Sequence, residues 1–216
     1  MSVICSETPL LLGSASPRRR ELLQQVGLPL RVHAVGVEEE QLPGETPERY
    51  VRRVTDDKLR ATQRSVARSA APIPHAAILV ADTIVVLDDE VLGKPSDTQD
   101  AVRLLGRLVA RTHVVNTCYQ LARPSGSACA VRVVRTEVEM RPATTSEIRA
   151  YAASGEGLDK AGAYALQGLG AFLVRAIRGS HANVIGLPVC EVVEDLLAQG
   201  LLAGFPLRGP EAARAR

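Results

Sequence analysis

A continuous apolar segment near the middle of the chain constrains the fold more than any other feature. It runs from Ala76 to Ala81, ends at Asp82-Thr83, and is followed by a second apolar run from Ile84 to Leu87. Successive residues of a strand point to opposite faces of a sheet, so an unbroken apolar run indicates a strand that is buried on both faces. We therefore expect a central strand packed between helices, with Asp82 at its carboxyl end.

Helix and strand signals alternate in the first half of the sequence, and a hairpin follows. Two helix starts are predicted where a Ser or Thr cap directly precedes Pro, at Ser16-Pro17 and Thr46-Pro47. Two more are predicted where Gln or Glu follows the cap three residues on, at Ser96 with Gln99 and at Thr144 with Glu147. The other predicted elements are strands at Pro9 to Leu12, Leu30 to Val35 and Ala171 to Ile177, a hairpin of Thr112 to Ala122 with Ala128 to Met140, and a last helix from about Pro188 to Ala198. This pattern is typical of an α/β fold with a mixed sheet flanked by helices.

The length and the terminal composition indicate one domain. A chain of 216 residues can bury a sizeable core, and the connections between the predicted elements are short. We expect residues 1–206 to form a single domain with two lobes, and residues 207–216, which mix Pro, Gly, Arg and Ala without periodicity, to form a flexible tail. The four cysteines lie far apart without a CxxC pair, which indicates neither a zinc site nor a disulfide framework.

Charge and hydropathy narrow the function classes. The formal net charge is +2 and aromatic residues make up 3% of the chain, whereas a nucleic-acid-binding surface needs an extended basic face with aromatic side chains for stacking. No apolar stretch is long enough to span a bilayer, and the N-terminus lacks the basic start of a secretion signal. We therefore expect a cytoplasmic protein that binds neither nucleic acid nor membrane.

The segment from Gly13 to Arg20 carries the strongest local signal for chemistry. A turn of small residues leads there into a helix start with three successive arginines. Free N–H groups at a helix start, hydroxyl donors such as those of Ser14 and Ser16, and arginine forks are together the parts of a phosphate-binding site. A solvated basic surface helix is the alternative, but basic residues are electrostatically unfavourable at a helix start, which favours the anion site.

Acidic and basic side chains that could act on a bound phosphate occur elsewhere in the sequence. Asp82 follows a buried strand at the sheet edge where α/β proteins collect catalytic groups, although it could also only cap a turn with Thr83. In the acidic loop Glu38 to Glu40, one residue could face a metal, and a solvated surface is the alternative. Lys58 lies on the apolar stripe of the second helix and Lys94 on a stiff turn, so each could point into a cleft or to solvent.

A glycine-rich segment, Asp159 to Gly168, could approach a ligand closely. Its Gln167 could pair with a nucleobase edge through one donor and one acceptor, or could only tie the loop to itself. The sequence contains no GxxxxGK[ST] motif, no complete GxGxxG motif and no GxSxG elbow. P-loop, Rossmann and serine-hydrolase sites are therefore not indicated.

Taken together, five motifs resemble those of the Maf family of nucleotide pyrophosphatases, in the same order and spacing from Leu11 to about Leu197. They are Ser14-Ala15-Ser16-Pro17-Arg18-Arg19, Ala81-Asp82-Thr83, Leu92-Gly93-Lys94-Pro95, Asp159-Lys160-Ala161-Gly162-Ala163-Tyr164 and Asn183-Val184-Ile185-Gly186-Leu187-Pro188. The resemblance implies a Maf/ITPase-like α/β fold, with an elongated mixed β-sheet flanked by helices and two lobes around a deep nucleotide-binding groove. It also implies that the chain forms a homodimer.

The resemblance implies three groups of site residues. Those that bind the substrate are Ser14, Arg18, Arg19, Thr83 and Gln167. Those that act in catalysis are Asp82, as the proton acceptor, with Lys58 and Lys94. Those that hold a divalent metal, Mg²⁺ or Mn²⁺, are Glu39 and Asp82, and hard oxygen ligands beside phosphates favour such ions on chemical grounds as well.

The activity that the resemblance implies is hydrolysis of nucleoside triphosphates to a monophosphate and pyrophosphate. Arg18, Thr83 and Gln167 fall at the positions that separate members acting on dTTP and UTP from members that prefer 7-methylguanosine triphosphate, and all three match the dTTP/UTP branch. Modified pyrimidine nucleotides stay open as substrates. A nucleotide-sensing regulator of cell division or septum formation, with little hydrolysis, is the alternative.

Overall fold

The computed structural model describes residues 3–124 and 126–207, so the predicted flexible tail lies outside the described residues except for Leu207. The strands are β1 (Leu10–Leu12), β2 (Leu30–Val32), β3 (Ala77–Leu87), β4 (Glu90–Leu92), β5 (Thr112–Ala122), β6 (Ala128–Met140) and β7 (Val174–Arg178). The α-helices are α1 (Pro17–Gln25), α2 (Pro47–Ala67), α3 (Thr98–Leu108), α4 (Thr145–Ala153), α5 (His181–Ile185) and α6 (Val189–Ala198). None of these helices is both long enough and apolar enough to cross a membrane.

The strands form one mixed sheet in the order β2-β1-β3-β5-β6-β7, with β4 beside β3. Along one edge of β3, β5 runs antiparallel from Ile78 to Val86. Along the other edge, β1 runs parallel as far as Leu79, and β4 runs antiparallel from Val85 onward. The residues of β3 between Leu79 and Val85 thus have no partner on this edge among the described strands, which leaves space for a groove. The predicted α/β class with a mixed sheet is confirmed.

The central strand does not end at Asp82. β3 continues without interruption to Leu87, because pairing with β5 carries it past Asp82, which lies opposite Cys118. The expected strand end was therefore wrong. Asp82 borders open space for a different reason, since it lies in the part of β3 whose other edge is unpaired.

Side chains of β3 alternate between two faces with different neighbours. On one face Ile78, Val80, Ile84 and Val86 pack against apolar residues of α2. On the other face, one apolar cluster joins the first half of β3 to α1 and α6, and a second joins its last part to α3 and α4. Because neighbouring residues of a strand point to opposite faces, Asp82 faces α2 whereas Thr83 does not.

Local cap chemistry explains where most helices begin. Ser16 and Thr46 each accept a hydrogen bond from the backbone N–H three residues on, and Pro occupies the first position of both α1 and α2. Thr144 and Glu147 form the predicted capping box of α4. These three helix starts are confirmed.

Three predicted boundaries were wrong. The cap of α3 is Asp97 rather than Ser96, because the Asp97 carboxylate accepts the backbone N–H of Asp100 at 2.8 Å. β2 ends at Val32, where its pairing with the three residues of β1 ends. The strand expected from Ala171 begins at Val174, because the preceding five residues form a 3₁₀ turn.

Candidate active site

A cavity of about 690 Å³ lies at the unpaired edge of β3, a volume typical of small-molecule sites. Its walls come from the turn before α1, the acidic loop, α2, β3, the segment after β4 and the segment between α4 and β7. All nine side chains singled out by the sequence line it, namely Ser14, Arg18, Arg19, Glu39, Lys58, Asp82, Thr83, Lys94 and Gln167.

Two carboxylates and one ammonium group meet on the α2 side of the cavity. Lys58 Nζ lies 2.6 Å from Asp82 Oδ1 and 2.7 Å from Glu39 Oε1. The side chains of Lys58 and Asp82 are 12% and 9% exposed, whereas that of Glu39 is 43% exposed. The position of Lys58 on α2 allowed its side chain to point either into a cleft or to solvent. The structure shows that it points into the cleft.

Basic neighbours keep Glu39 ionised. Burial alone would raise the pKa of Glu39, but the hydrogen bond and charge of Lys58, together with the charges of Lys94 and Arg19, hold it below its ordinary value. α2 also fixes the backbone of the acidic loop, since Tyr50 donates to the carbonyl of Glu39 at 2.7 Å. An acceptor-only carboxylate is thus held at the cavity wall.

Arg19 is buried, and its guanidinium ties three segments together. Nε donates to the carbonyl of Gly186 at 2.8 Å, and Nη1 donates to Ser14 Oγ at 3.1 Å and to the carbonyl of Ala81 at 2.7 Å. Nη2 donates to Thr83 Oγ1 at 3.0 Å. The Ala81 carbonyl lies on the unpaired edge of β3, so Arg19 supplies the donor that a neighbouring strand would otherwise provide. It brings positive charge to the cavity while its hydrogen bonds go to the protein itself.

Thr83 is equally engaged. Besides accepting from Arg19, its hydroxyl donates to the Gly186 carbonyl at 3.1 Å and lies 2.9 Å from Thr117 Oγ1. The hydroxyl therefore shapes the wall between β3 and the segment that follows α5.

Two basic side chains are less constrained than Arg19. Arg18 Nη1 lies 3.6 Å from Asp159 Oδ2, a partly solvated ion pair of the kind that contributes little to stability. Lys94 is exposed and forms no ion pair within residues 3–124 and 126–207. Its backbone is nevertheless anchored, because the carbonyl of Gly93 accepts from the N–H of Gly162 at 3.1 Å. Both cations are therefore free to engage an anion in the cavity.

Gln167 lines the cavity from the segment between α4 and β7, and its side chain is exposed. Its side chain makes no hydrogen bond to other parts of the described chain, so the alternative in which it ties the loop to itself does not hold. Glu156 and Asp159 also line the cavity, and the sequence predicts no role for either of them. The only signal for Glu156 in the sequence is its place three residues before the glycine-rich segment Asp159 to Gly168.

Metal-binding capacity rests on the two carboxylates. Among residues 3–124 and 126–207, no group of three or more His, Cys, Asp or Glu side chains is placed to hold a metal ion. Asp82 and Glu39 do converge on one cationic atom, Lys58 Nζ. Mg²⁺ is commonly bound by one or two protein carboxylates, with water and substrate phosphates completing its shell, so this pair fits such an ion.

Comparisons with known proteins agree over almost the whole chain. A family model described as "Maf-like protein" matches residues 9–199. Proteins named dTTP/UTP pyrophosphatase are similar to the chain, with 41% identity in Desulfotalea psychrophila over 91% of this chain and 97% of that protein. The corresponding values are 45%, 89% and 97% for Geobacter metallireducens, and 47%, 92% and 95% for Anaeromyxobacter dehalogenans strain 2CP-C.

A solved structure shows a distant likeness to this chain. A nucleoside-triphosphatase, dITP/XTP pyrophosphatase of Mycobacterium abscessus is 14% identical, covers 89% of this chain and 93% of its own, and superposes with a TM-score of 0.40. That likeness is too low to carry an argument about the site.

Proposed function

The chain belongs to the Maf-like protein family, and from that premise we propose that it hydrolyses dTTP and UTP to the nucleoside monophosphate and pyrophosphate. The names of its relatives, at 41–47% identity, support this activity. The observation that carries the proposal is the cluster of Asp82, Lys58 and Glu39, which lines one cavity together with arginine and lysine side chains. Carboxylates can act on water there while cations hold a polyphosphate.

The triphosphate lies against the start of α1. Ser14 and the helix N-terminus offer donors and the positive end of a helix dipole. Arg18 leaves Asp159 to engage phosphate oxygens, and Lys94 neutralises them from the other side of the cavity. Arg19 acts mainly by fixing Ser14 and the edge of β3, and its charge adds to the positive potential that favours the departing pyrophosphate.

Asp82 accepts a proton from the water that attacks the α-phosphorus. One P–O bond forms to that water oxygen, the bond to the bridging oxygen breaks, and pyrophosphate leaves. Lys58 orients the Asp82 carboxylate by a hydrogen bond of 2.6 Å. Catalysis on this proposal consists of positioning and charge stabilisation.

Glu39 and Asp82 would hold Mg²⁺ or Mn²⁺ once a triphosphate supplies further oxygen ligands. When bound, the ion supplies charge neutralisation at the phosphates and lowers the pKa of coordinated water. Lys58, as the cation between the two carboxylates in the protein alone, keeps them close together before the ion arrives.

Gln167 reads the pyrimidine edge, since a carboxamide presents one donor and one acceptor. Arg18 and Thr83 also contribute to the selection of the nucleotide. Arg18 does so at the phosphates, and Thr83 does so through the cavity wall that it forms with Gly186. Homodimer formation, a cytoplasmic location, a single two-lobed domain of residues 1–206 and a flexible tail of residues 207–216 stay predictions.

A product assay tests the proposal. The purified chain with Mg²⁺ or Mn²⁺ should release pyrophosphate and monophosphate from dTTP and UTP. Asp82→Asn should abolish release while leaving the fold in place, because the amide keeps the shape of the carboxylate but cannot accept the proton. Asp57→Asn, on the same side of the sheet but outside the cavity, is the matched control and should retain full turnover. Nucleotide binding without products would point to a sensor instead.

A further inference from the structure

The loop that carries Gln167 has little regular structure to hold it. Between α4 and β7 the chain forms only two short 3₁₀ turns, at Ala161–Ala163 and Leu169–Leu173. The Gln167 side chain is exposed, and no other described residue hydrogen-bonds to it. The direction in which Gln167 points is therefore set by the backbone of residues 165–170, which we name the base loop.

One carboxylate holds the base loop from within. Glu156 Oε1 accepts from the backbone N–H of Leu169 at 2.8 Å, and Oε2 accepts from that of Gly170 at 2.8 Å. Oε2 also accepts the hydroxyl of Tyr151 at 2.8 Å, and that hydroxyl in turn accepts the backbone N–H of Ala165 at 3.0 Å. Backbone groups on both sides of Gln167 are thus tied to the Glu156 carboxylate.

The glycines of the loop are what this contact requires. Gly168 has φ +97°, and a Cβ atom at this position would lie 2.2 Å from Glu156 Oε1. A Cβ atom on Gly170 would lie 2.3 Å from the Ala165 carbonyl oxygen and 2.6 Å from the Tyr151 hydroxyl. No side chain beyond hydrogen fits at either place, so the backbone wraps closely around the carboxylate and the phenol.

Glu156 is also ionised in this setting. Burial alone would raise the pKa of Glu156, but the N–H groups of Gly170 and Leu169 and the hydroxyl of Tyr151 hold it below its ordinary value. Charge-assisted hydrogen bonds of this kind are stronger than those between neutral groups. They also occupy the carboxylate oxygens, so that Glu156 can line a phosphate-binding cavity while its lone pairs are directed at the base loop.

We propose that Glu156 is a positioning residue for nucleobase selection, which acts by holding the base loop in the shape that presents Gln167 to the substrate. This inference rests on the proposed function and extends it to a residue that does not itself contact the base. A contact made equally in the ground state and in the transition state changes KM and leaves kcat in place. The effect of Glu156 should therefore appear in KM and in the choice of base.

Glu156→Gln tests this role, because the amide keeps the shape but loses the charge and one acceptor. KM for dTTP and UTP should rise about tenfold, as for the loss of a bidentate base contact, with kcat within about twofold of wild type. The ratio of kcat/KM for dTTP to that for dGTP should fall by a similar factor. Tyr151→Phe, which removes only the bridging hydroxyl, should shift the same ratio in the same direction by a smaller factor.

Glu147→Gln is the matched control. This carboxylate lies in the first turn of α4 and accepts backbone and side-chain hydrogen bonds, but it caps the helix and does not line the cavity. It should keep the wild-type dTTP/dGTP ratio. A purely structural role for Glu156 would lower turnover of both nucleotides alike, and an unchanged ratio in Glu156→Gln would overturn the proposal.

The proposal can still be tested if Glu156→Gln does not fold or if the wild-type chain does not hydrolyse nucleotides. If Glu156→Gln does not fold, the ratio in Tyr151→Phe decides, and an unchanged ratio there contradicts the proposal. If the wild-type chain binds nucleotides without hydrolysing them, the proposed function fails. The ratio of dissociation constants for dTTP and dGTP then tests Glu156 by the same comparison.

Discussion

Replacing Lys58 by Met should destabilise the protein by leaving Asp82 without its cation. Met preserves the length and apolar stem of the side chain, so the change removes the charge and little packing. Removing one partner of a buried ion pair costs about 3–5 kcal/mol, because the other charge stays buried and unpaired. Asp82 is nearly buried, whereas Glu39 is 43% exposed and can be solvated. We therefore expect a loss near the lower limit, about 3 kcal/mol.

Urea unfolding followed by circular dichroism measures this loss, since the chain has no Trp for fluorescence. The double variant Lys58→Met with Asp82→Asn should recover most of the lost stability, because the unpaired charge is gone, but it should stay inactive. A urea midpoint of Lys58→Met equal to that of wild type would refute the reasoning. So would a double variant that is less stable than Lys58→Met alone.

Acidification should weaken the fold through His113, which is 1% exposed and whose pKa burial lowers to about 4. The fold favours the neutral ring, and this preference contributes about 3 kcal/mol to the free energy of unfolding. The contribution is complete above the ordinary pKa of 6.5 and is lost as pH falls toward 4. Urea midpoints of wild type should therefore fall more steeply over this range than those of His113→Leu, and parallel curves would contradict the assignment. For Arg18, the ion pair with Asp159 competes with the phosphates, so Asp159→Asn should lower KM for dTTP about threefold, the range of an exposed pair, whereas Arg18→Ala should raise it. Steady-state kinetics at low and high salt checks both changes in KM. Equal KM values for wild type, Asp159→Asn and Arg18→Ala would show that Arg18 does not bind the phosphates.

The helix starts that depend on a few neighbouring residues could be predicted from the sequence. The caps at Ser16, Thr46 and Thr144 needed only a few neighbouring residues, and all three helix starts are confirmed. The cap of α3 failed because Ser96 and Asp97 stand side by side and both can cap. Which of them does so depends on the geometry of the incoming turn, which the sequence does not contain.

Contacts between distant segments could not be derived from spacing. The strand end expected at Asp82 failed because the sequence does not reveal that β5 pairs with β3 from Ile78 to Val86 and so carries the strand past Asp82. The internal hydrogen bonds of Arg19 reach Gly186, 167 residues away. Glu156 was missed for the same reason, since its partners at residues 169 and 170 are adjacent to it only once the loop has folded.

Hydrolysis of dTTP in water enriched in ¹⁸O tests the central claim most directly, because it reports which phosphorus the water attacks. With Asp82 as proton acceptor and the terminal phosphates held as pyrophosphate by the basic side chains, mass spectrometry should find one ¹⁸O atom in dTMP and none in pyrophosphate. Label in pyrophosphate, or release of inorganic phosphate in its place, would contradict the account.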